Sequence, residues 1–112
     1  MKRLIEDTLI KCGMPAGNCG FGYIVDAVLI LAKEPRIKIT AMYEAVASRN
    51  YTTATRAERG IRHAFLRTRE CGDGELTRYY FGDSIANSDT LKTLLLRINR
   101  ELEDMENEVH GE

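Results

Sequence analysis

The sequence contains no tryptophan, only two prolines and only three cysteines in 112 residues. Three is an odd number, and Cys12, Cys19 and Cys71 have neither CxxC spacing nor a nearby histidine. This pattern argues against a disulfide framework and against a zinc site. We therefore expect reduced thiols, no metal and no cofactor.

Long hydrophobic runs are also absent. The longest apolar stretch, Tyr23 to Ala32, is interrupted by Asp26 and is too short to span a bilayer. At the N-terminus, Glu6 and Asp7 interrupt LIEDTLI, so this run does not have the apolar centre of a signal peptide. We expect a cytoplasmic protein with no membrane association.

The sequence shows no pattern that is typical of an enzyme. The glycine-rich run PAGNCGFG lacks the GxxxxGK[ST] pattern of a phosphate loop, and no strand precedes it. His63 and His110 are far apart, and no acid pair or nucleophile motif accompanies them. We therefore do not expect catalysis.

Charge is unevenly distributed along the chain, although the formal net charge is only −1. Residues 33–69 contain nine Lys or Arg against three Asp or Glu, whereas residues 98–112 contain one Arg against six acids. A basic middle of this kind is sufficient for contact with phosphates.

Apolar residues recur at helical spacing, and no segment alternates with the period of two that a strand requires. We predict an all-α, compact bundle of about six helices in one domain, residues 1–112, with residues 103–112 as an acidic helical or frayed tail. The expected helices cover about residues 3–12, 20–33, 40–48, 54–70, 76–81 and 88–108. The second of them should be the most buried.

Several positions between these helices have a predicted local role. Asn50 suits a left-handed turn residue after the third helix, and Asn87 or Ser88 suits a cap of the last. Tyr79, Tyr80 and Phe81 are expected to close the core, with stacking on bases as the alternative. Gly60 lies inside the fourth helix and should soften it.

The predicted fourth helix has two contrasting faces. Ala57, Ile61, Ala64, Phe65 and Thr68 follow one side of a 3.6-residue repeat. The opposite side carries Thr55, Arg59, Arg62 and His63, with Arg56 and Glu58 on its flanks, and Thr52 or Thr53 can cap the first turn. A short helix, a turn and a capped helix with an Arg-rich outer face are typical of a helix-turn-helix DNA-binding unit, although such faces are also often only solvated.

The run ITAMYEAVASRNYTTATRAERGIRHAF, from Ile39, resembles the C-terminal DNA-binding domain of the sporulation response regulator, stage zero sporulation protein A. The ERxIRHA core carries the resemblance, which extends upstream through LIEDTLIKCGMPAGNCGFGYIVDAV and downstream through RECGDGELTRYYFG. It implies that Arg56, Glu58, Arg59, Arg62 and His63 lie on the recognition helix and face DNA.

The sequence also departs from that family. It contains no receiver domain, so Asp7 and Asp26 are not expected to accept phosphate, and Met1 with the acidic ending favours a complete small protein. Ser48 and Arg49 stand where the family has lysines, and the connection GDSIANS is short. These differences imply lower affinity or shifted specificity.

The apolar positions of the last helix are separated by steps of 4, 3, 4, 3 and 4, as in a heptad seam, from Leu91 through Leu95, Ile98, Leu102 and Met105 to Val109. Leu94 and Leu96 broaden its first half against the domain. Either the helix frays into solvent after Leu102, or its end forms a homodimer contact.

Two functions follow from these observations. The first is sequence-specific binding of double-stranded DNA in transcription control, with Arg56 and Arg59 reading bases and Glu58 either accepting from cytosine or orienting an arginine. Phosphates would be held by Arg49, Thr52 or Thr53, Arg62 and His63. The second is a protein-interaction module that pairs with a full-length relative or with RNA polymerase.

Overall fold

A computed structural model describes the backbone of residues 1–110 and the side chains of residues 1–108. All regular elements in this part of the chain are helices: α1 (Lys2–Cys12), α2 (Cys19–Lys33), α3 (Ile39–Arg49), α4 (Ala54–Cys71), α5 (Gly74–Phe81) and α6 (Asn87–His110). The all-α prediction with six helices is confirmed, and each helix lies within about two residues of its expected bounds. The predicted tail residues 111 and 112 lie outside the described residues, and so does the side chain of Val109.

The helix boundaries follow from local chemistry. Asn18 caps α2 by accepting a hydrogen bond from the Gly20 amide at 2.8 Å, and Asp73 caps α5 by accepting one from the Leu76 amide at 2.9 Å. Gly13 ends α1 with a φ of 103° and Gly82 ends α5 with a φ of 77°. Both φ values lie in a region that residues with a Cβ rarely adopt, so glycine allows the two helices to end at these positions.

Helix α2 lies at the centre of the bundle, as its apolar sequence predicts. It packs against α1, α3, α4 and α6. Its buried residues are Gly20, Phe21, Ile24, Val25, Ala27, Val28, Ile30 and Leu31. A helix that is apolar on most sides is stable only when neighbours cover those sides, and the other helices supply this cover.

The ends of α1 and α4 meet through two glycines. The Asp73 amide, just after α4, donates to the Cys12 carbonyl at 2.9 Å. A Cβ on Gly72 would lie 2.1 Å from the same carbonyl oxygen, and one on Gly13 would lie 2.8 Å from the Cα of Gly72. The approach is therefore possible only because neither residue has a side chain.

Helix α6 closes the bundle against α2, α4 and α5 and then continues beyond it. Leu91, Leu94 and Ile98 are fully buried, and the described backbone stays helical after Leu102. The expectation that Leu96 packs on the domain is wrong, since Leu96 is 47% exposed.

Helix α5 corrects the prediction for its aromatic residues. Tyr80 and Phe81 are buried, but Tyr79 is 44% exposed and therefore does not close the core. The Arg97 guanidinium stacks on the Tyr79 ring, 4.1 Å from its centroid, and Arg97 Nε also donates to the Tyr79 carbonyl. The contact between Tyr79 and Arg97 thus links α5 to α6 outside the core.

Candidate nucleic-acid interface

The two faces of α4 lie as the sequence predicts. The five residues expected to be inward, Ala57, Ile61, Ala64, Phe65 and Thr68, are the buried residues of this helix. The opposite face leaves five polar side chains in solvent, namely those of Thr55, Arg56, Arg59, Arg62 and His63. Because α4 packs only its inner stripe against α2, α3, α5 and α6, this outer face is convex and free to meet another surface.

The start of α4 is fixed by a threonine cap. Thr53 has an extended backbone, and its hydroxyl accepts a hydrogen bond from the Arg56 amide at 3.2 Å. Thr52 is half-buried, and its amide donates to the Ala47 carbonyl at 3.0 Å, which ties the turn to α3. Of the two predicted capping residues, Thr53 therefore caps the helix and Thr52 anchors the turn.

The turn between α3 and α4 corrects the prediction for Asn50. Asn50 has a φ of −114°, whereas Tyr51 takes the left-handed conformation with a φ of 54°. Asn50 instead uses its amide to donate to Asp26 and to the Val46 carbonyl, both at 2.8 Å, so a side-chain bond to α2 holds its conformation.

The left-handed position at Tyr51 leaves its ring 100% exposed beside the start of α4. Tyr51 is not among the site residues predicted from the sequence. The only indication in the sequence is that Tyr51 is an aromatic residue in a predicted turn, and such a residue usually packs against the protein. An exposed phenol in a strained backbone conformation is a candidate contact residue.

Glu58 and Arg62 form the one ion pair among the described residues, with Arg62 Nη1 to Glu58 Oε2 at 2.9 Å. Their side chains are 51% exposed for Arg62 and 32% exposed for Glu58. An exposed i, i+4 pair contributes only about 0.3–0.5 kcal/mol, so Arg62 can exchange the carboxylate for a phosphate at little cost. Of the two roles predicted for Glu58, this geometry favours orienting an arginine.

Arg56 and Arg59 make no ion pair among the described residues. Both are exposed, and the Arg56 side chain lies in the first turn after the Thr53 cap. Guanidinium groups without an internal partner retain all their donors for an external acceptor.

Tyr43 of α3 packs rather than projecting outward. It is half-buried, and its hydroxyl oxygen accepts a hydrogen bond from the Asn87 amide at 3.1 Å. Burial raises the pKa of this phenol, and the Asn87 donor opposes that rise. Tyr43 therefore packs against the start of α6.

The same contact corrects the prediction for the start of α6. Asn87 is the first residue of that helix, but neither its side chain nor that of Ser88 bonds to the helix backbone among the described residues. The Asn87 amide instead turns inward and also donates to the Glu58 carbonyl at 3.1 Å.

Arg69 belongs to the basic stretch by sequence, but its charge is not available at the surface. Its guanidinium donates to the carbonyls of Gly82 at 2.6 Å and Ser84 at 2.7 Å, and to the Thr90 hydroxyl at 3.0 Å. Burial lowers its pKa. Arg69 therefore stabilises the connection between α5 and α6. The charge counted from the sequence is larger than the positive charge on the exposed face of α4.

Cys12 is buried, whereas Cys19 and Cys71 are exposed, and all three are free thiols. Within residues 1–108, no group of three His, Cys, Asp or Glu side chains is arranged to hold a metal ion. No helix of the described chain combines the length and the apolar character needed to cross a membrane.

Comparison with known families adds to this geometry. The family model described as sporulation initiation factor Spo0A C terminal matches residues 5–102, from α1 to the middle of α6. The chain belongs to this family. Spo0A C-terminal domains are DNA-binding effector domains of a sporulation response regulator and are not catalytic, so the chain is assigned to DNA binding in transcription regulation. No curated protein matches the chain.

Proposed function

We propose that this Spo0A C-terminal family domain binds double-stranded DNA sequence-specifically, with α4 entering the major groove as a recognition helix. The single observation that carries the proposal is the outer face of α4, where Arg56 and Arg59 are exposed, form no ion pair within the described residues and follow a capped first turn. A helix fits the major groove with its N-terminal residues nearest the base edges, and an arginine fork matches the O6 and N7 acceptors of guanine.

The remaining polar residues of this face have supporting roles. Arg62 and His63 lie further along α4, and Arg49 closes α3, so these three are suited to phosphates rather than to bases. Thr52, Thr53 and Thr55 surround the helix start, where hydroxyl and amide donors can also hold phosphate. Glu58 orients Arg62 and so influences which phosphate that side chain reaches, and thereby the register of α4 on the duplex.

The proposed division into base-reading and phosphate-holding residues predicts different effects of two substitutions. Arg59→Ala should weaken binding to a selected duplex by about 1–3 kcal/mol and leave random duplex nearly unchanged. Arg49→Ala should weaken both alike and reduce the salt dependence by about one phosphate contact.

The experiment begins with selection of preferred sequences from random duplex DNA at a stated salt concentration, followed by titration of each variant. Arg100→Ala serves as the matched control, because Arg100 is an exposed arginine on α6. An equal loss for Arg59→Ala and Arg49→Ala on both duplexes would defeat the division of roles. Failure of the wild-type chain to enrich any sequence would overturn specific DNA binding itself. As a DNA-binding regulator, the protein would act in the bacterial cytoplasm.

A second candidate function is protein interaction through α6, either as a homodimer or with a full-length relative or RNA polymerase. The observation that favours it is the apolar surface of that helix, where Leu96 is 47% and Met105 is 48% exposed. Sedimentation of the wild-type chain and of a chain that ends at Leu102 tests the homodimer. If each chain sediments at the mass of its own single copy, that result would count against the homodimer.

A further inference from the structure

Asn87 stands at the point where the start of α6 meets both α3 and α4. The residue is 9% exposed and is therefore buried. The amide nitrogen donates to the Tyr43 hydroxyl oxygen at 3.1 Å and to the Glu58 carbonyl at 3.1 Å, and it lies 3.4 Å from the Glu58 carboxylate oxygen Oε2. One amide group therefore reaches acceptors on two other helices, and two of the three belong to Glu58.

These contacts favour one orientation of the amide. If the oxygen and nitrogen of the Asn87 amide exchanged places, the oxygen would face two oxygens of Glu58 and repel both. In the orientation observed, Oδ1 is enclosed without a hydrogen-bond partner among the described residues. The hydrogen bonds that define this orientation are therefore those of the amide nitrogen, to Tyr43 and Glu58.

The contact matters because of where Glu58 lies. Glu58 is the only acidic residue between positions 54 and 69, within the helix that carries the arginine face. Its carboxylate oxygen Oε2 accepts from Arg62 Nη1 at 2.9 Å and from the Asn87 amide at 3.4 Å. A carboxylate free to swing outward would repel DNA phosphates and compete with them for the neighbouring guanidinium groups.

We infer that Asn87 is a positioning residue for DNA recognition, which holds Glu58 against the protein and thereby gives Arg62 one direction on the arginine face. The inference rests on the proposed function and deepens it, since Asn87 lies on α6 and acts through Glu58. The start of the last helix is thus a determinant of what the fourth helix binds.

The test uses Asn87→Asp, which keeps the shape of the side chain and replaces its donor with a charged acceptor. Asn99→Asp is the matched control, because it makes the same change at an exposed position of the same helix. We expect Asn87→Asp to weaken binding to the selected duplex about five- to tenfold more than Asn99→Asp does, and to lower the ratio of selected to random binding. Asn87→Ser, which is neutral and too short to reach the carboxylate, should change the ratio in the same direction.

A double-mutant cycle with Glu58→Gln separates positioning from general destabilisation. In the Glu58→Gln background there is no carboxylate to release, so Asn87→Asp should change affinity by less than about twofold. Thermal unfolding of every variant identifies any that is not folded at the titration temperature. If Asn87→Asp is not folded at that temperature, Asn87→Ser replaces it in the cycle.

The outcomes distinguish this inference from the proposed function. Selective binding by the wild-type chain, with Asn87→Asp no weaker than Asn99→Asp, overturns the inference alone. An equal effect of Asn87→Asp in the wild-type and Glu58→Gln backgrounds also overturns it, because Asn87 would then act on the fold rather than through Glu58. A wild-type chain that selects no duplex overturns the proposed function and the inference with it.

Discussion

Gly20 of α2 and Gly60 of α4 lie against each other where these helices cross. A methyl group on Gly20 would come within 2.4 Å of the Gly60 carbonyl oxygen and within 2.6 Å of the Ala64 Cβ. These distances are far below van der Waals contact and involve backbone that cannot rotate away. The absence of a side chain at Gly20 therefore sets how closely α2 approaches α4.

Gly20→Ala should lower the free energy of unfolding by about 1–3 kcal/mol, because overpacking forces the two helices apart. Gly22→Ala is its control, since a Cβ at Gly22 meets nothing within 4 Å. That substitution should raise stability by about 0.5–1 kcal/mol through helix propensity. Urea unfolding of both variants provides the comparison, and shifts of the same sign would contradict the crossing geometry.

Tyr51→Asn should raise stability by about 1 kcal/mol, because asparagine tolerates the left-handed conformation better than tyrosine does. Tyr51→Ala removes the ring but retains the strained backbone, so it should leave stability almost unchanged. If the exposed ring contacts DNA, both variants bind DNA more weakly despite their different stabilities. Unfolding curves combined with duplex titration separate the two effects, and equal stability of the two variants would argue against strain at this turn.

Arg69→Lys should lower the free energy of unfolding by about 1–3 kcal/mol, although it preserves the charge. A lysine ammonium cannot reproduce the planar fork that donates to the Gly82 and Ser84 carbonyls. Arg67→Lys is the control on the same helix, because Arg67 is exposed. Thermal unfolding of the pair tests the assignment, which fails if both substitutions are neutral.

Stability should also fall at alkaline pH in a way that depends on Cys12. Burial raises the pKa of this thiol from its ordinary value of 9.0 to about 11, with the nearby Lys11 opposing the rise. Below pH 9 the thiol is neutral in both the folded and the unfolded chain. Between pH 9 and pH 11 the unfolded chain ionises while the folded chain does not, so stability is lost as pH rises through this interval.

The comparison for this prediction is wild type against Cys12→Ala at pH 8 and at pH 10.5. The pKa of Tyr43 is also raised, mainly through burial, and its titration cancels in the difference. The pKa of Tyr80 is raised mainly through burial and in small part by Cys12, so that part belongs to the effect of the thiol. The alanine variant should lose less stability than wild type over this interval. An identical pH dependence would show that the thiol is not protected.

The sequence predicts the elements of this fold well because its signals are local. The 3.6-residue repeat of α4 identified all five of its buried residues, and Gly13, Pro35 and Gly82 marked helix ends through backbone preferences that need no tertiary information. The recognition-helix assignment also depended on resemblance, since an arginine-rich face by itself is often only solvated.

The remaining features depend on contacts between distant residues. Asparagine favours the left-handed conformation, but the hydrogen bond from the Asn50 side chain to Asp26 on α2 holds Asn50 in a different backbone conformation. Tyr51 takes the left-handed conformation instead. Arg69 adds to the positive charge counted along the sequence. Its guanidinium, however, donates hydrogen bonds to carbonyls more than ten residues away. The role inferred for Asn87 has no sequence signal, because capping preference describes only its own helix.

The glycine contact between the ends of α1 and α4 also determines where the chain can be shortened. The Asp73 amide, just before α5, donates to the Cys12 carbonyl. Removing α1 would therefore leave this amide without its acceptor. Ile5 and Leu9 would leave the core at the same time. A fragment that starts at α2 would retain every arginine on the outer face of α4 and still lose part of the core that supports this helix.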